Sequence, residues 1–133
     1  MTELIPVLVV DDQLVQRQGI INIVESTGSM RVVGAASKAQ EALEIISRER
    51  IELALIDLVL KDQHGTDVGR ILRRSNPDIK VIIYTREKSL VLASEIFREH
   101  KELGQPGLQG YLLTRNISSS DYLRQTYQQI LES

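Results

Sequence analysis

Residues 5–12 have the sequence IPVLVVDD, an apolar run followed by two aspartates. The run is short, rich in β-branched residues and continuous rather than alternating, which is typical of a strand buried on both faces. Pro6 stands near its beginning, where a missing N–H group disturbs a sheet least. We therefore predict that residues 5–10 form a strand of a parallel sheet, with the two aspartates just beyond its carboxyl end.

Strand-like and helix-like segments alternate along the rest of the chain. Four more apolar runs predict strands at residues 31–36, 53–56, 79–84 and 111–113. A helix is predicted over residues 14–26, and apolar side chains at helical spacing predict four more, marked by Ala39, Ala42, Leu43 and Ile46; by Val68, Ile71 and Leu72; by Ala93, Ile96 and Phe97; and by Leu123, Tyr127, Ile130 and Leu131. Ser118 precedes Asp121 by three residues, a spacing similar to a capping box, so the last helix is expected to begin there.

This alternation predicts an α/β fold. Right-handed crossovers between parallel strands give a parallel doubly wound sheet. The length fits five strands, (β/α)5, which suggests the flavodoxin-like order 2-1-3-4-5. The length of 133 residues fits one such domain, spanning residues 1–133. In sheets of this kind, ligands bind beyond the carboxyl ends of the strands, so the polar residues at those ends are the candidates for a functional site.

Composition narrows the function classes. Apolar residues make up 42% of the chain and charged residues 26%, values typical of a soluble globular protein. Cysteine is absent, which excludes disulfides, thiolate catalysis and Cys-ligated zinc. The net charge of −2 gives no general attraction to nucleic acid or to an anionic membrane. Neither a signal peptide nor a membrane-spanning run is recognised, so we expect a cytoplasmic protein that itself binds neither nucleic acid nor membrane.

Carboxylates follow two of the predicted strands. Asp11 and Asp12 come directly after the first strand, and Asp57 comes after the third. These strands are neighbours in the predicted order, so we expect the three carboxylates to converge. Charges of one sign this close repel each other, and a hard divalent cation relieves the repulsion; oxygen ligands without Cys or His favour Mg²⁺. Taken alone, Asp12 has the alternative role of capping the following helix.

Polar residues also end the fourth and fifth strands. Thr85 and Arg86 follow the fourth strand, and Thr114 and Arg115 follow the fifth. A Mg²⁺ ion beside a carboxylate nucleophile and a hydroxyl donor suits phosphoryl transfer, because carboxylates form aspartyl-phosphates and the metal neutralises the transferred charge. Thr85 alone is an ordinary strand end and Arg86 alone an ordinary exposed side chain. The combination is more specific than any one member.

The sequence resembles a response-regulator receiver domain, the phospho-acceptor of two-component signalling in the CheY-like superfamily. The resemblance covers nearly the whole chain. It is carried by VLVVDD at residues 7–12, by LIDLVL at 55–60 with its spacing to Gly65, by VIIYT at 81–85 and by GYLL at 110–113. The wording VVGAASKAQEAL at residues 32–43 is similar to the NarL/LuxR-type subgroup.

The resemblance implies a role for each carboxylate. Asp57 would be the nucleophile that accepts a phosphoryl group from a sensor histidine kinase. Asp12 would bind Mg²⁺ directly, Asp11 would act partly through water, and the backbone carbonyl of Val59 would be a further ligand. The chain would then be a signalling protein rather than an enzyme, with at most slow phosphoryl uptake and hydrolysis of its own.

The resemblance also implies a switch. Thr85 would donate its hydroxyl to the phosphoryl oxygens, and Tyr111 would be the aromatic residue that turns inward when Thr85 moves. The face formed by the fourth helix, fifth strand and fifth helix would then dimerise or dock partners. The expected output is control of transcription through a DNA-binding domain outside this chain, with a homodimer as the expected self-association.

Three features depart from the family pattern. Thr114 stands where the family has a lysine, Arg86 stands where a small residue is usual, and the span between Thr85 and Thr114 is several residues longer than usual. Arg86 or Arg115 could replace the missing cation. The alternative is a pseudo-receiver, which serves as a docking or dimerisation module without phosphorylation. A third class, a Mg²⁺-dependent phosphatase, is disfavoured because the chain has no length for a substrate lid.

Overall fold

A computed structural model of the chain describes residues 3–85, 111–114 and 117–132, with only the backbone of residues 111–113. The five strands are β1 (Ile5–Val10), β2 (Met30–Ala36), β3 (Leu53–Asp57), β4 (Lys80–Tyr84) and β5 (Tyr111–Thr114). The helices in these ranges are α1 (Leu14–Glu25), α2 (Ala39–Arg48), α3 (Gly65–Ser75) and α4 (Ser120–Glu132). Their bounds differ little from the predicted ones. The helix predicted around Ala93, Ile96 and Phe97 lies outside the described residues.

The strands form one parallel sheet with the order β2-β1-β3-β4-β5. The prediction of a parallel α/β sheet is confirmed, and the strand order is the expected one. Val10 of β1 lies beside Ile56 of β3, and Asp57 lies beside Tyr84 of β4. The carboxyl ends of β1, β3 and β4 therefore meet at one edge of the sheet, where the candidate site residues were predicted.

Apolar side chains cover both faces of the sheet, which explains the continuous apolar runs. Leu8 and Val10 belong to the core cluster that packs against α2 and α3, whereas Val7 and Val9 belong to the cluster that packs against α1 and α4. All four side chains are completely buried. Each such burial contributes roughly 1.5–3 kcal/mol relative to exposure. Among the helices in the described part of the chain, none combines the length and apolar character needed to cross a membrane.

Helix α4 begins later than the sequence suggests. The backbone N–H of Tyr122 donates to the hydroxyl of Ser119 at 3.1 Å, and Ser120 is the first helical residue. The capping residue is therefore Ser119, and the expectation of Ser118 was wrong. An N-cap residue directly precedes the first helical residue and its hydroxyl bonds the N–H group three residues further on, and Ser119 meets both conditions.

The start of α3 lies unusually close to the end of β3. A Cβ atom added to Gly65 would lie 2.2 Å from the carbonyl oxygen of Asp57, a distance that no side chain tolerates. The N–H of Gly65 also donates to the carbonyl of Leu58 at 2.6 Å. Glycine at this position therefore allows the helix to approach the strand end that carries Asp57.

We predict that Gly65→Ala destabilises the protein by about 1–3 kcal/mol, because the added methyl group overlaps a backbone carbonyl that can move only with the central strand. Urea unfolding of the two proteins measures the difference. Gly19→Ala is the matched control: a Cβ at Gly19 in α1 meets nothing within 4 Å, so alanine should stabilise the helix by about 0.5–1 kcal/mol. Equal effects of the two substitutions would contradict the close approach.

Candidate functional site

Three carboxylates meet at the carboxyl edge of the sheet. Asp11, Asp12 and Asp57 each offer an oxygen atom, and these atoms all lie within 4.8 Å of one another. Asp11 and Asp57 are buried, whereas Asp12 is partly exposed. The predicted convergence is confirmed, and it follows from the adjacency of β1 and β3. Asp12 gives the cluster its contact with solvent.

Asp11 is the most enclosed of the three and has several hydrogen-bond donors. Its Oδ1 accepts from the backbone N–H of Gln13 at 2.9 Å. Its Oδ2 accepts from the side-chain amide of Gln16 at 2.7 Å and from the hydroxyl of Tyr84 at 2.6 Å. These donors offset the cost of burying a carboxylate. Because Asp11 is completely buried and held by short hydrogen bonds from Gln13 and Tyr84, it suits an indirect role toward a cation.

Tyr84 reaches this carboxylate from two strands away. It lies beside Asp57 in the sheet, on β4, and its side chain is almost completely buried. Burial raises the pKa of the Tyr84 hydroxyl well above its usual value of 10.0, and the charge of Asp11 and the hydrogen bond to it raise it further. The hydroxyl therefore stays protonated and serves as a donor.

Asp57 is held by contacts on both carboxylate oxygens. Oδ1 accepts from the backbone N–H of Val59 at 3.3 Å, and Oδ2 accepts from the Gln16 amide at 3.2 Å. Val59 also pairs with His64 across the loop before α3, through hydrogen bonds made by the flanking residues. The Val59 carbonyl takes no part in those bonds, and its predicted role as a metal ligand stays a prediction.

Asp12 turns toward the opposite wall of the pocket. Its Oδ2 accepts from the backbone N–H of Lys61 at 2.5 Å, and both residues line a pocket with Gln13, Val59 and Leu60. The N-cap of α1 is Gln13, which makes no side-chain capping bond. The alternative role of Asp12 as a helix cap is therefore wrong, because its carboxylate faces the loop after β3.

The ends of β4 and β5 are also joined. The N–H of Thr85 donates to the carbonyl of Thr114 at 3.2 Å, and Thr85 is buried. The hydroxyls of Thr114 and Tyr122 share a hydrogen bond, which links β5 to the first turn of α4. Tyr111 pairs with Val81 through its backbone, and its side chain lies outside the described residues.

Two predicted cation substitutes, Arg86 and Arg115, also lie outside the described residues. Two residues that touch the carboxylates were missed by sequence analysis, Gln16 and Tyr84. Gln16 lies in an ordinary polar position near a helix start, and Tyr84 lies within an apolar strand. Neither their residue types nor their spacing in the sequence indicated that these two side chains contact the carboxylates.

Most of the chain matches one known protein family. The model of the "Response regulator receiver domain" family matches residues 7–102. The chain belongs to this family. The predicted membership is thus confirmed.

Relatives and solved structures agree with this assignment. The chain is 30% identical to "Response regulator UvrY" of Escherichia coli K12 over 109 residues, which are 82% of this chain and 47% of UvrY. It is 26% identical to "Transcriptional regulatory protein LnrK" of Bacillus subtilis over 110 residues, 83% of this chain and 47% of LnrK. The receiver domain thus spans about half the length of these curated relatives. A CheY-like receiver domain protein from Methanospirillum hungatei matches with a TM-score of 0.74 and 26% identity, covering 98% of this chain and 96% of that one.

The acidic cluster of this receiver domain fits a Mg²⁺ ion. The side-chain atoms that it offers as metal ligands are carboxylate oxygens, which Mg²⁺ prefers, and none of them is a sulfur or an imidazole nitrogen. Asp12 is partly exposed, so water can complete the coordination sphere. Asp11 is the member least suited to direct contact, because its hydrogen bonds are short, 2.6–2.9 Å. Those that Val59 and Gln16 donate to Asp57 are longer, at 3.3 and 3.2 Å.

We predict that Tyr84→Phe lowers the free energy of unfolding at neutral pH by about 1.5–3 kcal/mol, because the buried Asp11 carboxylate loses a donor to a charged group. Chemical denaturation of the metal-free protein measures the loss. Tyr127→Phe is the control, since it removes a hydroxyl from the same core cluster without touching Asp11. A loss no larger than that of the control would show that the Tyr84 hydroxyl does not stabilise Asp11.

Proposed function

We propose that this receiver domain accepts a phosphoryl group on Asp57 from a sensor histidine kinase, with Mg²⁺ held by the acidic cluster. The observation that carries the proposal is the convergence of Asp11, Asp12 and Asp57 at the carboxyl edge of the sheet. Family membership supports it. In the proposed reaction, a carboxylate oxygen of Asp57 attacks the phosphorus of a phosphohistidine. The O–P bond forms as the P–N bond breaks, and the imidazole nitrogen leaves with the bonding pair.

The residues around Asp57 prepare it for this attack. The hydrogen bond from the backbone N–H of Val59 orients its carboxylate, and its place at a strand end keeps the backbone rigid. Thr85 follows β4 at the same edge, and we assign its hydroxyl the role of donating to the phosphoryl oxygens. When bound, Mg²⁺ supplies positive charge that neutralises the transferred group.

The cluster divides the proposed metal-binding work between its members. Asp12 and Asp57 would contact Mg²⁺ directly, together with the carbonyl of Val59. Asp11 would act partly through water, in keeping with its complete burial and its hydrogen bonds from a backbone N–H and from Tyr84. With few protein ligands and no closed cage, the affinity should be weak, in the millimolar range.

We further propose that residues 1–133 form a (β/α)5 receiver domain of a cytoplasmic protein, with Tyr111 as its switch residue. Its output face, around β5 and α4, would form a homodimer in the phosphorylated state. Control of transcription through a further DNA-binding domain is supported by the name of LnrK and by the chain's coverage of only 47% of that relative. The pseudo-receiver alternative is less well supported, because the three carboxylates converge and Thr85 directly follows β4 at the same edge of the sheet.

We predict that a small phosphodonor with Mg²⁺ adds one phosphoryl group to the wild-type protein and none to Asp57→Asn. The neutral asparagine amide lacks the nucleophilic carboxylate oxygen. Intact mass spectrometry measures the addition. Asp62→Asn is the control, since Asp62 is an exposed carboxylate in the loop after β3 and should not change uptake. Equal uptake by Asp57→Asn would contradict the assignment of the acceptor.

We predict that Thr114→Lys slows the loss of the phosphoryl group roughly tenfold or more, because a charge-assisted hydrogen bond replaces a neutral hydroxyl. Phosphoprotein lifetime after removal of the donor measures this. Thr114→Val is the control, because it also breaks the contact with Tyr122 but adds no charge. No gain from lysine, together with a shorter lifetime for Arg86→Ala, would assign the cation role to Arg86 instead.

A further inference from the structure

Gln16 joins the two buried carboxylates, Asp11 and Asp57. Its Nε2 atom donates to Oδ2 of Asp11 at 2.7 Å and to Oδ2 of Asp57 at 3.2 Å. A side-chain amide nitrogen carries two hydrogens, so one atom can serve both acceptors. The result is a neutral bridge between two anions on neighbouring strands.

In the first turn of α1, the side chains are buried and exposed in the opposite way to those of an ordinary amphipathic helix. Leu14 and Val15 are 69% and 87% exposed, whereas Gln16 is partly buried against the carboxylates. Amphipathic helices place apolar side chains inward and amides outward. Local departures of this kind are expected where a site rather than a core determines the arrangement.

The Gln16 amide and a Mg²⁺ ion would interact with the same two carboxylates, Asp11 and Asp57. In the metal-free protein, the positive hydrogens of the amide lower the repulsion between Asp11 and Asp57. A Mg²⁺ ion at the cluster would attract the same carboxylates and repel the same hydrogens. An interaction made only in the metal-free state stabilises that state and lowers the apparent affinity for the ion.

We propose that Gln16 is a positioning residue that acts as an internal competitor of Mg²⁺: its amide bridges Asp11 and Asp57 in the metal-free protein and is displaced when the ion binds. This inference rests on the proposed function, because it assumes that the ion binds at the acidic cluster. It assigns to Gln16 two effects of opposite sign. The amide raises the stability of the metal-free protein and lowers its affinity for Mg²⁺.

The test is Gln16→Met, which keeps side-chain length and helix propensity but removes the donor. We expect Mg²⁺ to bind roughly three- to tenfold more tightly to this variant, and its unfolding midpoint in EDTA to fall. Amide chemical-shift titration with MgCl₂ measures the affinity, and thermal unfolding in EDTA measures the stability. Gln18→Met is the matched control, because Gln18 lies on the same helix and donates only to the exposed Asn22 side chain among the described contacts.

Gln16→Asn is a second variant, which keeps the amide but shortens it by one methylene so that it no longer spans both carboxylates. It should change both quantities in the same direction as Gln16→Met. If the wild type binds Mg²⁺ at Asp11, Asp12 and Asp57 and both variants bind it no more tightly than the wild type, the role of Gln16 is overturned and the proposed function stays intact. A wild-type protein whose shifts do not centre on Asp11, Asp12 and Asp57 would overturn the proposed function and this inference together.

Discussion

Burial of negative charge at the end of a parallel sheet is the constraint on which the rest of this structure depends. Asp11 is completely buried and Asp57 is nearly so, and a carboxylate in such a place is costly unless donors surround it. The protein supplies those donors from three directions: the backbone after β1, the first turn of α1, and β4. Each neighbouring element thus has a specific role at the cluster.

The scaffold holds this cluster by close packing. The strands that carry the aspartates lie in the middle of the sheet and are covered on both faces by helices, so the strand ends have little freedom to move. Gly65 lets α3 begin directly behind Asp57. The acidic cluster therefore lies at the ends of closely packed interior strands, which suits chemistry that depends on the position of one carboxylate.

The departure from the family pattern at Thr114 has a structural counterpart. Its hydroxyl is bonded to Tyr122, so the end of β5 is tied to α4 by two neutral side chains. The backbone N–H of Thr85 donates to the carbonyl of Thr114, which connects the end of β4 to Thr114 and Tyr122. The proposed switch would therefore reach its output face through neutral hydrogen bonds, where the family pattern has a lysine.

Much of the fold was predictable from local pattern. Residues 5–10 and the similar runs are continuous because both faces of the sheet are covered, and the strand order is the one expected of a five-stranded doubly wound sheet. The three aspartates were predictable as a cluster because parallel strands end at a common edge. These inferences need only the spacing of residue types along the chain, and that spacing determined the fold class and the acidic cluster. The family was indicated by the resemblance of particular stretches, such as residues 7–12 and 55–60.

Tertiary structure alone decided which side chains hold the cluster together. Tyr84 lies beside Asp57 but bonds Asp11, and Gln16 turns inward while Leu14 and Val15 turn outward. Ser119 rather than Ser118 caps the last helix. Such contacts depend on the direction and reach of single side chains after the elements have packed, and residue spacing carries no information about either.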